Sequence, residues 1–211
     1  MKRPTAPWGV LAFFYKEAEV QPMLTFLHLI DKMSTKIGQL FSWLIVVLTA
    51  VIVFEVFTRY AFNHPNPWVF DASYILYGIL FMMAGAYTLS KGGHVRGDIL
   101  YGFFSPRTQA SLDLILYFVF FFPGIIALTY AGYTFAEDAW LIKEMSSVTA
   151  DGPPIYPFKT FIPLAGFFLL LQGVVEVIRC VMCIKAGEWP KREEDVEEVD
   201  VEKLKASLGK N

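Results

Sequence analysis

Four long apolar runs dominate the pattern of hydrophobic and polar positions along the chain. Each contains 15 to 23 consecutive residues without a charged side chain. The runs are Ile37–Phe54, Ala72–Ser90, Leu114–Ala136 and Phe161–Val175, and the last continues in apolar character to Ile184. A helix needs about 20 apolar residues to cross a bilayer, where its backbone polar groups must be hydrogen bonded internally. The runs do not alternate as the strands of a transmembrane barrel would. The pattern therefore predicts four transmembrane helices.

A shorter apolar stripe precedes the first run. Its members recur every three or four positions after Pro22: Met23, Phe26, Leu27, Ile30, Met33 and Ile37. This spacing is typical of an amphipathic helix that lies in the membrane interface. Two interpretations stay open. The segment is either a simple cytoplasmic extension of the first span, or an arm that lies along the membrane and packs on another protein.

These elements predict an all-α integral membrane protein with four transmembrane helices and an N-terminal amphipathic interfacial helix. The predicted units are an irregular cytoplasmic N-terminus (1–21), an amphipathic arm helix (22–36), a four-helix membrane domain (37–184) and a charged cytoplasmic tail (185–211). The expected spans cover about 39–60, 70–90, 112–133 and 160–184. Composition agrees with this class, since 55% of the residues are hydrophobic and the mean hydropathy is +0.46.

The distribution of basic residues predicts the orientation. Lys and Arg number five before the first span, one in the first loop, three in the second, two in the third and seven from Arg179 onward. Basic residues concentrate on the cytoplasmic side of membrane proteins. We therefore expect a multi-pass protein with both termini in the cytoplasm.

Most candidate functional residues fall around the hairpin between the first two spans. Glu55 and Arg59 are four residues apart and can pair along one helix, which favours a structural pair over a transport site. Trp68 lies at the depth of an aromatic belt. Asp71 falls in the first turn of the second span, where a carboxylate complements the helix dipole. It is also a candidate for an ion pair with Arg59 or with another subunit.

The loop after the second span holds the remaining candidates, His94, Arg96 and Asp98. It is interpreted either as a charged cytoplasmic loop that helps to set the topology or as a contact site. Further on, Pro123 and Gly124 predict a local disturbance of the third span. In the fourth span, Gln172 is expected to bond a neighbouring helix, and Glu176 and Arg179 are spaced to pair.

The sequence predicts no catalytic, cofactor-binding or metal-binding residue. All three histidines lie outside the spans, which argues against a haem-binding anchor with axial ligands in its helices. Cys180 and Cys183 have no histidine near them in sequence and are expected to be packing residues rather than zinc ligands. Buried polar groups are too few for a self-sufficient transporter. The chain is therefore expected to be an accessory subunit that packs on a larger membrane partner.

Three motifs in order resemble the small membrane subunit (DctQ-like, the Q subunit) of tripartite ATP-independent periplasmic (TRAP) transporters. The first resembles R-Y-x-F-N followed by P-W and an acid, and consists of Arg59, Tyr60, Phe62, Asn63, Pro67, Trp68 and Asp71. The family more often has Glu at the last of these positions. The second resembles H-V-R-x-D-x-L and consists of His94, Val95, Arg96, Asp98 and Leu100. The third precedes and enters the last span, with Pro153, Pro154, Pro157, Lys159, Pro163 and Gln172.

This resemblance implies a non-catalytic role in transport across the bacterial inner membrane. It implies a large membrane subunit (DctM-like) that carries the substrate and sodium sites, a periplasmic substrate-binding protein and membrane lipids as partners, and no nucleic acid. The small subunit would brace the fixed scaffold of the large one during sodium-coupled uptake of an organic acid or similar solute. The loop 137–159 is the candidate contact for the binding protein. The alternative is a membrane anchor or assembly subunit of another multi-subunit complex.

Overall fold

A computed structural model describes residues 7–92, 104–149 and 152–190, with side chains from residue 22 onward. Within these ranges the chain is helical and contains no strand. The helices are α1 (Pro7–Ser42), α2 (Leu44–Ala61), α3 (Trp68–Ser90), α4 (Pro106–Leu116), α5 (Phe122–Ile142), α6 (Tyr156–Lys159) and α7 (Phe161–Ala186), and a π-helical segment (Tyr117–Phe121) joins α4 to α5. Few charged residues interrupt the apolar surfaces of the long helices, so contacts between apolar side chains account for most of their packing.

Among the described residues, four helical segments are long and apolar enough to cross a membrane. They are Pro22–Ala61, Trp68–Ser90, Pro106–Ile142 and Tyr156–Ala186. The predicted fold class, an all-α protein with four transmembrane helices, is therefore confirmed. The interfacial position of residues 22–36 stays a prediction, since these residues form part of α1, which a single turn at Trp43 separates from α2.

The start of α1 differs from the sequence interpretation. Residues 7–21, which we expected to be irregular, are helical from Pro7. A proline in the first helical turn has a suitable backbone angle and needs no hydrogen bond from its nitrogen, so Pro7 begins a helix rather than preventing one. The helix-forming residues that follow then continue it.

The third span is continuous but irregular. Pro123 has no backbone N–H, so the regular hydrogen bond from this position is missing. Immediately before it, the N–H of Phe122 donates to the carbonyl oxygen of Tyr117, five residues earlier, which is π-helical geometry. The disturbance predicted from Pro123 and Gly124 thus takes the form of a widened turn and does not end the helix.

Helix α7 lies at the centre of the bundle and packs on α1, α3, α4 and α5. Its buried residues include Val175, Cys180 and Cys183. Cys183 packs with Ala110 of α4, and both cysteines are buried without a disulfide between them, in agreement with the packing role expected for them. Helix α2 instead packs on α3 and leaves most of its apolar side chains exposed.

Small residues let the helices approach one another. Gly78 and Gly85 of α3 lie against Phe158 and Leu169 respectively. Close contacts of this kind are typical of membrane helix packing, where small side chains bring backbones together. The order of the spans brings the ends of α2 and α5 and the starts of α3 and α7 to one end of the bundle, which carries most of the candidate residues.

Candidate functional site

Three polar clusters fix the positions of the helices, and each joins side chains from different helices or loops. We call them the hairpin cluster (Glu55, Thr58, Arg59 and Asn66), the loop cluster (Asp71, Ser146 and Thr149) and the arm cluster (Asp31, Ser34, Gln172, Glu176 and Arg179). Every buried side-chain nitrogen or oxygen among the described residues has a hydrogen-bond partner. Since unpaired polar groups are costly in an apolar environment, these clusters set the geometry of the bundle ends.

The hairpin cluster closes the turn between α2 and α3. Arg59 donates to Oε1 of Glu55 through Nε at 2.9 Å and through Nη2 at 2.6 Å. The other carboxylate oxygen of Glu55 accepts from the backbone N–H of Asn66 at 3.0 Å and from its side-chain amide at 3.1 Å. The amide also donates to the Thr58 hydroxyl at 2.8 Å. Glu55 therefore joins its own helix to the start of the next.

The predicted pair of Glu55 and Arg59 is present, but the two residues differ in exposure. The side chain of Arg59 is 56% exposed, whereas that of Glu55 is 11% exposed. Trp68, the first residue of α3, lies beside Phe54 with ring centroids 6.3 Å apart. The turn itself contains Asn63 at φ 51°, a left-handed conformation that asparagine tolerates better than most residues. These contacts fix how α3 leaves the hairpin.

In the loop cluster, Asp71 binds two hydroxyl groups of the loop after α5. The side chain is buried in the first turn of α3, and the Ser146 hydroxyl donates to Oδ1 while the Thr149 hydroxyl donates to Oδ2. The Tyr74 hydroxyl lies 3.3 Å from the Ser146 hydroxyl. The structure does not bring Arg59 to Asp71, since that guanidinium pairs with Glu55. The ion pair with Arg59 considered from the sequence is therefore replaced by contacts with the loop after α5.

A second contact holds the same loop at its ends. Lys159 of α6 is buried and pairs with the carboxylate of Glu144. Its ammonium group lies 3.7 Å from the centroid of the Phe135 ring. An ammonium group removed from water is stabilised by both a carboxylate and an aromatic face. The loop between α5 and α6 is consequently tied to the bundle at both Asp71 and Lys159.

The arm cluster attaches α1 to α7. Arg179 donates to Glu176 of its own helix and pairs with Asp31 of α1. Gln172 donates to the Asp31 carboxylate at 2.8 Å and accepts from the Ser34 hydroxyl at 2.8 Å. The pair of Glu176 and Arg179 and the interhelical role of Gln172 were predicted from the sequence. Their partner Asp31 was not, because spacing within α7 carries no information about α1.

The remaining candidates cannot be placed. His94, Arg96 and Asp98 lie outside the described residues. Ser146, Thr149 and Lys159 were not selected as candidate site residues from the sequence. A serine and a threonine in a polar loop resemble ordinary surface residues, and no periodic pattern marks them. Within residues 7–92, 104–149 and 152–190, no group of three or more His, Cys, Asp or Glu side chains could hold a metal ion.

Comparison with known proteins assigns the membrane part of the chain to a protein family. No curated protein matches the sequence. The model of a protein family, described as the DctQ component of tripartite ATP-independent periplasmic transporters, matches residues 48–182. This range contains the hairpin and loop clusters and most of the four spans, and it covers more than half of the 211 residues. The chain is therefore a multi-pass membrane protein that belongs to the DctQ component family of tripartite ATP-independent periplasmic transporters.

Proposed function

We propose that this chain is the non-catalytic small membrane subunit that braces the fixed scaffold of the large TRAP membrane subunit. The large subunit carries the substrate and sodium sites and takes up an organic acid or similar solute delivered by a periplasmic binding protein. The small subunit lies in the bacterial inner membrane with both termini in the cytoplasm. Its task is to hold helices still while the partner moves, and it needs no cofactor of its own.

The observation that supports this proposal is what the buried charged side chains of the bundle bind. The buried charged groups Glu55, Asp71 and Arg179 each bind a side chain outside their own helix. A solute path through a membrane protein needs polar groups that face a water-filled cavity. Charges that join one helix to another instead make a stiff body, which is what a brace requires.

The exposed surface supports a large partner. In α2 the buried residues are Leu48 and Glu55, and in α5 they are the small residues Gly132, Ala136 and Ala139. Most of the remaining apolar side chains of both helices are exposed. Lipid covers part of such a surface in a membrane protein. We assign another part to the large subunit, since apolar surface of this extent also accommodates a protein partner.

The proposal is tested by purification and transport together. An affinity-tagged copy is expressed together with a large TRAP membrane subunit and a periplasmic binding protein from the same organism, solubilised in detergent and captured. We expect the large subunit to be recovered with it. Proteoliposomes with both membrane subunits and the binding protein should then take up solute down a sodium gradient, and omitting this chain should abolish or strongly reduce uptake.

Two results would contradict the proposal. One is capture of an unrelated membrane complex without the large permease, which would favour the alternative of an anchor or assembly subunit. The other is full uptake by the large subunit and binding protein in the absence of this chain. A haem absorption band in the purified sample would also point to a redox complex instead.

A further inference from the structure

We propose that Asp71 is a positioning residue for the loop between α5 and α6. Through Ser146 and Thr149 it orients Met145 and Val148 for contact with a soluble partner. This inference rests on the proposed function, in which that partner is the periplasmic binding protein. It adds a specific role for a buried carboxylate that neither transports nor contacts the partner itself.

The first argument is how the Asp71 carboxylate is bound. Its side chain is completely buried, and each of its two oxygens accepts a hydrogen bond from a different loop residue, Ser146 or Thr149. Within the described part of the chain, no cation lies within ion-pairing distance of it. A buried carboxylate that is not hydrogen bonded is strongly destabilising. The hydrogen bonds from Ser146 and Thr149, one to each oxygen, exist only while the loop is folded over α3.

The second argument is the internal order of the loop. The N–H of Ser146 donates to the carbonyl of Pro153 at 2.9 Å, and the N–H of Ile155 donates to the carbonyl of Glu144 at 2.9 Å. Gly152 lies so close that a Cβ atom there would be 2.4 Å from the Ser146 carbonyl oxygen. The two sides of the loop, residues 144–146 and 153–155, are thus hydrogen bonded to each other next to Ser146. Movement of Ser146 would disturb both sides.

The third argument is the exposure of Met145 and Val148, which are neighbours of the residues that Asp71 binds. Met145 is 56% exposed and Val148 is 55% exposed, although both belong to an ordered, hydrogen-bonded loop. Successive side chains in an extended segment point to opposite sides, so an inward Ser146 directs Met145 outward. Exposed apolar side chains on a fixed backbone form a preorganised contact, which lowers the entropy cost of binding.

The charges beside this surface indicate the kind of partner. Glu137 and Asp138 on the last turns of α5 are exposed, as is Lys143 at its end, so acidic groups predominate among the exposed charges there. Acidic groups at the rim of an interface favour a basic rim on the partner and speed its association. The surface therefore fits a soluble protein with an apolar patch bordered by Lys or Arg. A membrane-embedded partner would contact the apolar sides of the spans instead.

The test uses the assembled transporter in proteoliposomes, with the binding protein titrated. Ser146→Ala and Thr149→Val each remove one hydroxyl that reaches Asp71. Ser147→Ala is the matched control, because Ser147 is the exposed neighbour in the same loop. Thr149→Ser keeps the hydroxyl and should restore wild-type behaviour.

We expect Ser146→Ala and Thr149→Val to raise the half-saturating concentration of binding protein by up to about tenfold, as expected for a destabilised contact geometry. The maximal uptake rate and the amount of co-purified large subunit should stay unchanged. A purely structural defect would lower both of these instead. In amide hydrogen exchange, the N–H group of Ile155, which donates to the Glu144 carbonyl, should exchange faster, while those of α7 do not change.

The proposal is overturned if both variants behave like Ser147→Ala. It is also overturned if they lower the maximal rate at an unchanged half-saturating concentration. If wild-type uptake does not depend on this chain at all, the proposed function fails instead. In that case the hydrogen-exchange comparison still decides whether Asp71 holds the loop.

Discussion

Gly166 of α7 lies directly against Thr129 of α5. A Cβ atom placed on Gly166 would be 2.2 Å from the Thr129 hydroxyl oxygen and 3.1 Å from its Cβ atom. The Thr129 hydroxyl already donates to the carbonyl of Ile125 at 2.7 Å, so its rotamer is constrained. The contact between the third and fourth spans therefore requires glycine at position 166, and the close approach of α5 to α7 depends on it.

Gly166→Ala is expected to separate α5 from α7 and to destabilise the subunit by about 1–3 kcal/mol, the usual cost of overpacking. Gly124→Ala is the matched control, because a Cβ atom there meets nothing within 4 Å. Alanine is the better helix former, so this variant should be neutral or slightly stabilising. Thermal unfolding in detergent measures both. Equal stability of the two variants would contradict the assigned contact.

Arg179→Met tests the arm cluster. The Arg179 side chain is 2% exposed and its guanidinium binds both Glu176 and Asp31, so its removal leaves two carboxylates without their shared cation. Removing one partner from a buried ion pair typically costs about 3–5 kcal/mol. We expect a large loss of thermal stability and release of α1 from α7, visible as faster amide exchange in residues 27–34.

Arg59→Met supplies the comparison for that variant. Its side chain is 56% exposed, and exposed ion pairs contribute about 0–1 kcal/mol. The loss of stability should therefore be small. Equal destabilisation by Arg59→Met and Arg179→Met would contradict the claim that burial decides how much each ion pair contributes to stability.

Glu55→Gln tests the closure of the hairpin. One terminal oxygen becomes an amide group that donates, so the residue can no longer accept from both Arg59 and Asn66. We expect the Asn66 amide to exchange faster with solvent hydrogen, while α7 remains protected. Glu137→Gln removes an exposed carboxylate elsewhere and serves as the control. Unchanged exchange at Asn66 would show that the carboxylate does not hold the turn.

A photo-crosslinking residue at position 148 tests the proposed contact with the binding protein. Val148 is 55% exposed on the loop between α5 and α6. In the working transporter we expect crosslinks from this position to capture the binding protein. Lys185, exposed near the other end of α7, is the control and should not capture it. The contact is wrongly placed if position 148 never captures the binding protein while other outward positions do.

Residues close together in sequence were the easiest to interpret. Glu55 with Arg59, and Glu176 with Arg179, share a helix face, so their spacing alone predicts a contact. The uncharged runs likewise predicted the spans, because membrane thickness sets a length that composition can reveal. A local disturbance of the third span was also predicted from Pro123, which cannot donate a backbone hydrogen bond, and the structure shows it as a π-helical turn. Each of these inferences uses short-range geometry.

The partners of Asp71 could not be predicted from local sequence patterns. In sequence it resembles a carboxylate at a helix start, and Arg59 is the nearest candidate partner. The fold instead places Ser146 and Thr149, more than 70 residues later, on its two oxygens. Asp31 and Arg179 are joined in the same way although 148 positions separate them. These contacts depend on how the helices pack side by side, which no local pattern contains.

By itself the sequence determined that this protein is helical, how often it can cross a membrane and which charges can pair within one helix. Those properties depend on hydrophobicity and on the repeat of the α-helix. The tertiary structure alone decided which helix lies against which, and therefore that Asp71 holds a loop and that Asp31 ties α1 to α7. The physical reason is that buried polar groups bind the nearest complementary group in space, wherever it occurs in the chain.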